Sequence, residues 1–215
     1  MKRSFVALAT AAIFLGSASL HASTILLSEN FNETTASLDV TSAGAFHTTG
    51  GTNVDIVSAA SGWASLIVAP ETGNVVDMGG SGGNPQGVLT SNSLFELLPG
   101  VDYYLSFDLV GSQRGYETST TVTFGGYDQT FDLASGDDTD GLVTNALVTV
   151  STPTWTNLTF TNNMPQDGNV GALLDNVEIA STATPEPSSL LLLGSGFAAI
   201  ALFFARGRKK GTPTA

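Results

Sequence analysis

Tyr103-Tyr104-Leu105-Ser106-Phe107-Asp108-Leu109 is the stretch from which the fold can be read. Tyr103, Leu105, Phe107 and Leu109 alternate with Tyr104, Ser106 and Asp108, so a strand here puts one row in a core and leaves the other wetter. Leu158 and Phe160 alternate in the same way with Asn157, Thr159 and Thr161. From Ser23 onward no run of ten residues has apolar spacing of 3.6, whereas short β-branched runs alternate with Gly, Asn, Asp and Pro. Strands are predicted at 24–27, 54–57, 63–68, 74–78, 87–90, 103–110, 118–124, 129–133, 142–150, 155–161 and 172–179. Short strands at this spacing predict an all-β antiparallel sandwich of jelly-roll type over residues 23–182. No strand shows the lipid-facing aromatic girdle of a membrane barrel.

The two ends read as addresses. Met1-Lys2-Arg3 is a positive n-region, residues 5–15 are an apolar h-region, and small residues lead to Ala22. Residues 1–22 are therefore expected to be a signal peptide cleaved after Ala22. Residues 188–205 are uncharged and, as a helix rising ~1.5 Å per residue, reach about 27 Å, enough to cross a thin hydrocarbon core. Arg206, Arg208, Lys209 and Lys210 follow as a stop-transfer tail that stays cytoplasmic, which puts the β domain on the exported side.

Composition narrows the chemistry. The 215 residues contain no cysteine, which excludes disulfides, thiolate metal sites and a thiol nucleophile. Between Ser23 and Thr184 there are 18 Asp and Glu against a single basic residue, Arg114. Such a surface repels nucleic acid and anionic lipid and favours divalent cations.

Pro185-Glu186-Pro187, then Ser188-Ser189, the run from Leu190 to Leu193, Gly194, Gly196 and the basic tail resemble the PEP-CTERM sorting signal. The resemblance covers residues 183–215. It implies recognition by exosortase through Glu186, cleavage near the motif, and delivery to the surface or exopolysaccharide matrix of a Gram-negative bacterium. Threonine at 184 stands where the family often has valine. A second resemblance runs from Gly50 to Ile179. Asn53-Val54-Asp55-Ile56-Val57, Trp63, Val76-Asp77-Met78, Pro99-Gly100, the Tyr103 to Leu109 block, Gly111-Ser112-Gln113-Arg114-Gly115 and Leu174-Asp175-Asn176-Val177 are similar to choice-of-anchor C domains. Those are related to galactose-binding-like, carbohydrate-binding jelly rolls, so the resemblance implies a glycan-associated sandwich and transfers no activity.

Several residues could carry chemistry. Gly79-Gly80-Ser81-Gly82-Gly83 fits the pattern of a nucleophile elbow, but no helix pattern follows and His47 precedes it, so it reads as a glycine-rich loop. The period of two places Asp175 with Leu173, Val177 and Ile179, where a carboxylate needs a partner. That partner is Arg114, water at a strand end, or a structural Ca²⁺ shared with Glu29, Asn30 or Asn32. Asp137-Asp138-Thr139-Asp140-Gly141 puts three carboxylates in four residues, either a solvated acidic turn between Leu133 and Leu142 or a cluster neutralised by a cation. Trp63, Tyr104, Tyr116, Tyr127 and Trp155 are the available sugar platforms; Trp155 is either a surface residue in the solvent phase or a second-layer core residue, and Arg114 lies beside Tyr116 in a loop. The function expected is a non-catalytic, exosortase-sorted protein that associates with extracellular polysaccharide. A calcium-loaded coat protein without a sugar site and a two-carboxylate glycan hydrolase are the alternatives.

Overall fold

The computed structural model describes residues 23–61, 73–82, 87–136, 143–164, 169–182, 193–197 and 200. Residues 22–184 form one compact unit; 1–21 with 185–215 form another, whose described residues are helical and exposed. The cleavage site at Ala22, the motif Pro185, Glu186 and Pro187, and Arg206, Arg208, Lys209 and Lys210 lie outside the described residues. So do most of the expected span at 188–205, the strand expected at 63–68 and the acidic turn at 137–141. Among the described residues no helix is long and apolar enough to cross a membrane.

The β unit is an antiparallel sandwich. In chain order its strands are β1 Ser23–Glu29, β2 Ser37–Val40, β3 Ser42–Ala43, β4 Phe46–Thr48, β5 Val54–Ser58, β6 Asn74–Asp77, β7 Val88–Ser91, β8 Phe95–Leu97, β9 Tyr103–Val110 and β10 Thr118–Phe124. They continue as β11 Tyr127–Leu133, β12 Val143–Val148, β13 Thr154–Thr156, β14 Thr159–Asn162 and β15 Leu173–Thr182. One sheet runs β12-β9-β15-β6-β5-β2, with β1 also paired to β15. The other runs β11-β10-β14-β7-β4-β3, and β13 with β8 makes a separate two-stranded ribbon.

The alternation read at Tyr103 is the alternation found: Tyr103, Leu105, Phe107 and Leu109 are buried and their neighbours half-buried. They face Val122, Phe124 and Phe160 of the second sheet in one core. Phe107 meets Phe160 edge-on, centroids 5.3 Å apart, and Phe160 meets Phe46 at 6.0 Å, so one aromatic chain spans the two layers.

Two sequence expectations are corrected. The strand expected at 155–161 is two strands in different sheets, because the Asn157 side chain turns the chain by donating to the carbonyls of Ser91 and Ser93, each at 2.9 Å. Asp175 does not share a face with Val177 and Ile179. Asp175 pairs with Asp108 and Glu178 with Ser106, three steps on β15 against two on β9. This one-residue bulge reverses the phase at Asn176, whose φ is 49°. Leu174, Val177 and Ile179 enter the main core, while Leu173 joins Val57, Val75 and Val110 on the opposite face.

Candidate functional site

β9 runs from one end of the sandwich to the other, and its eight residues at ~3.3 Å each separate those ends by roughly 25 Å. At its C-terminal end stand Arg114, Tyr116, Asp55 and Asp77. At its N-terminal end stand the β8–β13 ribbon and Trp155. The sequence grouped Trp155 with Arg114 and Tyr116 as ligand-binding residues; the fold sets them at opposite ends.

Asp55 and Asp77 are direct cross-strand partners on β5 and β6. The period of two puts both on the outer face with Val57 and Val75, yet both are buried, at 0% and 2% exposure. The loop after β6 folds over them. Ser81 donates its backbone N–H at 3.1 Å to Asp55 Oδ1 and its hydroxyl to Asp55 Oδ2, and Asp39 donates its N–H to Oδ1 at 2.8 Å. Gly79 N–H reaches Asp77 Oδ1 at 2.9 Å. Gly80 permits this closure, since a Cβ there would lie 1.9 Å from Asn53 Oδ1. Ser81 is thus a loop residue bonded to a carboxylate, in accord with the loop reading.

Arg114 Nη2 meets Asp77 Oδ2 at 3.3 Å. Arg114, one of the partners considered for Asp175, is therefore engaged with Asp77. Burial pushes the Asp77 carboxyl up to about 7; the Asp55 charge adds to that, and Gly79 N–H and Arg114 oppose it.

A cleft of about 500 Å³ opens between the start of β10 and the end of β11. Glu117, Ser119, Asp132 and Met164 line it, and the Thr118 hydroxyl behind it is buried with no hydrogen-bond partner. Tyr116, next in the chain to Glu117, is 61% exposed. Asp55, Asp77, Glu117 and Asp132 had not been singled out as site residues. The available signal was a lone carboxylate inside each apolar run, Val54-Asp55-Ile56-Val57 and Val76-Asp77-Met78.

Of the residues considered for calcium, Glu29, Asn30 and Asp175 each accept backbone N–H groups. Glu29 accepts the N–H groups of Phe31 and Ala45, one on each oxygen and both at 2.7 Å, which clamps the end of β1 to the turn before β4. Asn30 Oδ1 accepts from Asn32 N–H at 3.1 Å, and Asp175 Oδ1 accepts from Asn176 N–H at 2.7 Å. No three carboxylate or imidazole groups gather into a cation site among the described residues.

At the other end Trp155 pairs with Glu96 across the ribbon and is 61% exposed, the surface position and not the second-layer burial. Leu94 and Leu98 flank Glu96 on the same face and are exposed, while Phe95 and Leu97 point into the core.

The fold thus defines an acidic antiparallel β-sandwich joined at its C-terminus to a separate terminal segment. Residues 183–209 match the PEP-CTERM protein-sorting motif. The motif implies an exosortase-sorted surface protein, exported and held by its C-terminus until processed. No curated protein matches the chain. Solved structures similar to it include an apo-form cyclase from Fischerella sp., 16% identical, covering 75% of this chain and 98% of that one with a TM-score of 0.48. A cyclase from Fischerella sp. TAU is 14% identical, covering 76% and 100%, with a TM-score of 0.41. The CBM22-1 xylan-binding domain of Xyn10C from Paenibacillus barcinonensis is 15% identical, covering 76% and 98%, with a TM-score of 0.36.

Proposed function

We propose that this protein is a non-catalytic component of the extracellular matrix, exported, sorted by exosortase through Glu186, and associated with a hydroxyl-rich, uncharged polysaccharide at its Arg114 end. The observation that carries the reading is the sorting motif at residues 183–209. The chemistry of the cleft supports the glycan: Glu117, Asp132 and Ser119 offer acceptors to sugar hydroxyls, and exposed Tyr116 offers a ring face. Eighteen carboxylates against one arginine disfavour a polyanionic glycan. Asp55 and Asp77, cross-strand partners, are sealed from solvent, so a hydrolase using that pair has no path to its substrate.

The test is the intact mass of the surface fraction from source cells, with and without Glu186→Ala, together with retention on the cells' own polysaccharide. A species beginning near Ser23, ending near residues 185–187 and lost in the variant supports sorting; a C-terminus at Ala215 in both sinks it. Retention that falls with Glu117→Gln and Asp132→Asn, with no reducing ends released, supports the glycan reading. Absence of retention, or release of reducing ends, overturns it.

A further inference from the structure

The β unit has eight large apolar side chains that are exposed among the described residues: Ile25, Leu26, Leu38, Leu94, Leu98, Tyr116, Leu147 and Trp155. Their placement is uneven. Leu147 pairs with Tyr104, Tyr104 with Ala180 and Ala180 with Ile25, so the four lie in one row across β12, β9, β15 and β1 on the outer face. Leu147 is 56% and Ile25 60% exposed, and Leu26 bulges beside them. The row stands two residues from Thr182, where β15 ends. Thr182 N–H bonds to Asp102 O, and Leu98 N–H bonds to the Tyr103 hydroxyl, which brings the Trp155 ribbon to the same end. Six of the eight therefore gather where the chain leaves the sandwich; Leu38 and Tyr116 stand apart.

Burial of these side chains needs a partner, and the chain itself supplies the constraint. Residue 183 begins the sorting motif and Ser188 the apolar stretch. Six residues, even fully extended, span roughly 20 Å. While the C-terminus is uncleaved, the chain thus leaves the sandwich no more than about 20 Å from the start of the apolar stretch. Tryptophan, tyrosine, leucine and isoleucine are the side chains that settle at a membrane boundary. The end carries the exposed carboxylates Glu96 and Asp102, and the domain's single arginine is at the opposite end, so the surface suits a lipid without net charge.

We propose that the apolar end formed by Ile25, Leu98, Tyr104, Leu147 and Trp155 rests on a zwitterionic lipid surface. That this surface lies near lipid rests on the sorting reading; the lipid contact is testable without it. Such a contact is weak alone and effective when tethered, because a short linker holds the surface at high local concentration.

The test uses residues 23–184, which form a compact unit with its own core, and phosphatidylcholine vesicles. Co-flotation is expected for the native sequence and is reduced about tenfold or more by Ile25→Ser, Leu147→Ser and Trp155→Ser together. Leu38→Ser, away from that end, is expected to leave it unchanged. Thermal melting of each variant confirms folding, since every changed side chain is exposed. No flotation at high lipid, flotation indifferent to the triple change, or a dimer in lipid-free solution that the triple change dissolves would each overturn the proposal. The sorting reading is judged separately by the Glu186→Ala mass, so the two can fail independently.

Discussion

Arg114 and Asp77 form an ion pair that closes one end of the sandwich, with Nη2 3.3 Å from Oδ2. The carboxylate is almost fully buried and the guanidinium a quarter exposed, so the pair has an inner and an outer member. Removing the outer member leaves an ionised group inside. Arg114→Met is expected to cost about 1–3 kcal/mol at pH 8, below the roughly 3–5 kcal/mol typical of fully buried pairs because water screens the exposed side. The double change Arg114→Met with Asp77→Asn should recover most of the loss. Urea unfolding of residues 23–184 reads both, and a double variant no better than the single would show that Arg114 acts by packing alone.

The same carboxylate makes stability depend on pH. Its folded value, about 7, lies above its ordinary 3.8, so between those values the folded state holds a proton that the unfolded chain has released. Stability contributed by that proton is full below about 3.8 and is lost as pH rises to about 7, by an amount on the order of a few kcal/mol. Asp77→Asn keeps a neutral side chain at every pH. Relative to the native sequence it is expected to gain stability between pH 5 and pH 8, measured as the difference in urea midpoints. A constant difference across that range would refute a raised Asp77.

Glu29 is read as a clamp on backbone, which distinguishes it from a calcium ligand. Glu29→Ala strands the Phe31 and Ala45 N–H groups and should cost about 2–4 kcal/mol, each lost charge-assisted bond contributing roughly 1–2 kcal/mol. Glu29→Gln keeps one acceptor and should cost less. The melting midpoint is expected to be the same in calcium and in chelator. A midpoint raised by calcium and not in Glu29→Gln would return Glu29 to the metal.

The elements that could be read in the sequence are those whose side chains repeat every two residues against one core. The strands at Tyr103–Val110 and Thr118–Phe124 match their expected bounds, and those starting at Val54 and Asn74 end one residue later and one residue earlier than expected. The strands Ser37–Val40, Ser42–Ala43, Phe46–Thr48 and Phe95–Leu97 were not foreseen, because two to four residues are too few to show a period. The phase of Trp155 left both exposure and second-layer burial open. Its distance from Arg114 could not be read at all, since pairing order between strands is not encoded in local alternation. Asp55 and Asp77 were hidden for a related reason: their phase points outward, and a glycine loop folded over them made an outer face interior.

The bulge at Asn176 is the plainest case of a feature that local pattern conceals, and it yields the last prediction. Asn176 is exposed, has φ of 49°, and donates from Nδ2 to Asp108 Oδ2 at 2.7 Å across the strand pair. Asparagine tolerates this left-handed backbone, glycine occupies it without strain, and a β-branched side chain resists it. Asn176→Gly should therefore lose only the Asp108 contact, about 1 kcal/mol, whereas Asn176→Val should lose about 1–2 kcal/mol more. If valine were tolerated as well as glycine, β15 would have to run without its extra residue. Val177 and Ile179 would then exchange faces with Glu178 and Ala180, and a carboxylate would enter the core. The energetic penalty of that exchange is what holds the bulge in place, and hydrogen exchange along β15 in the two variants would register it directly.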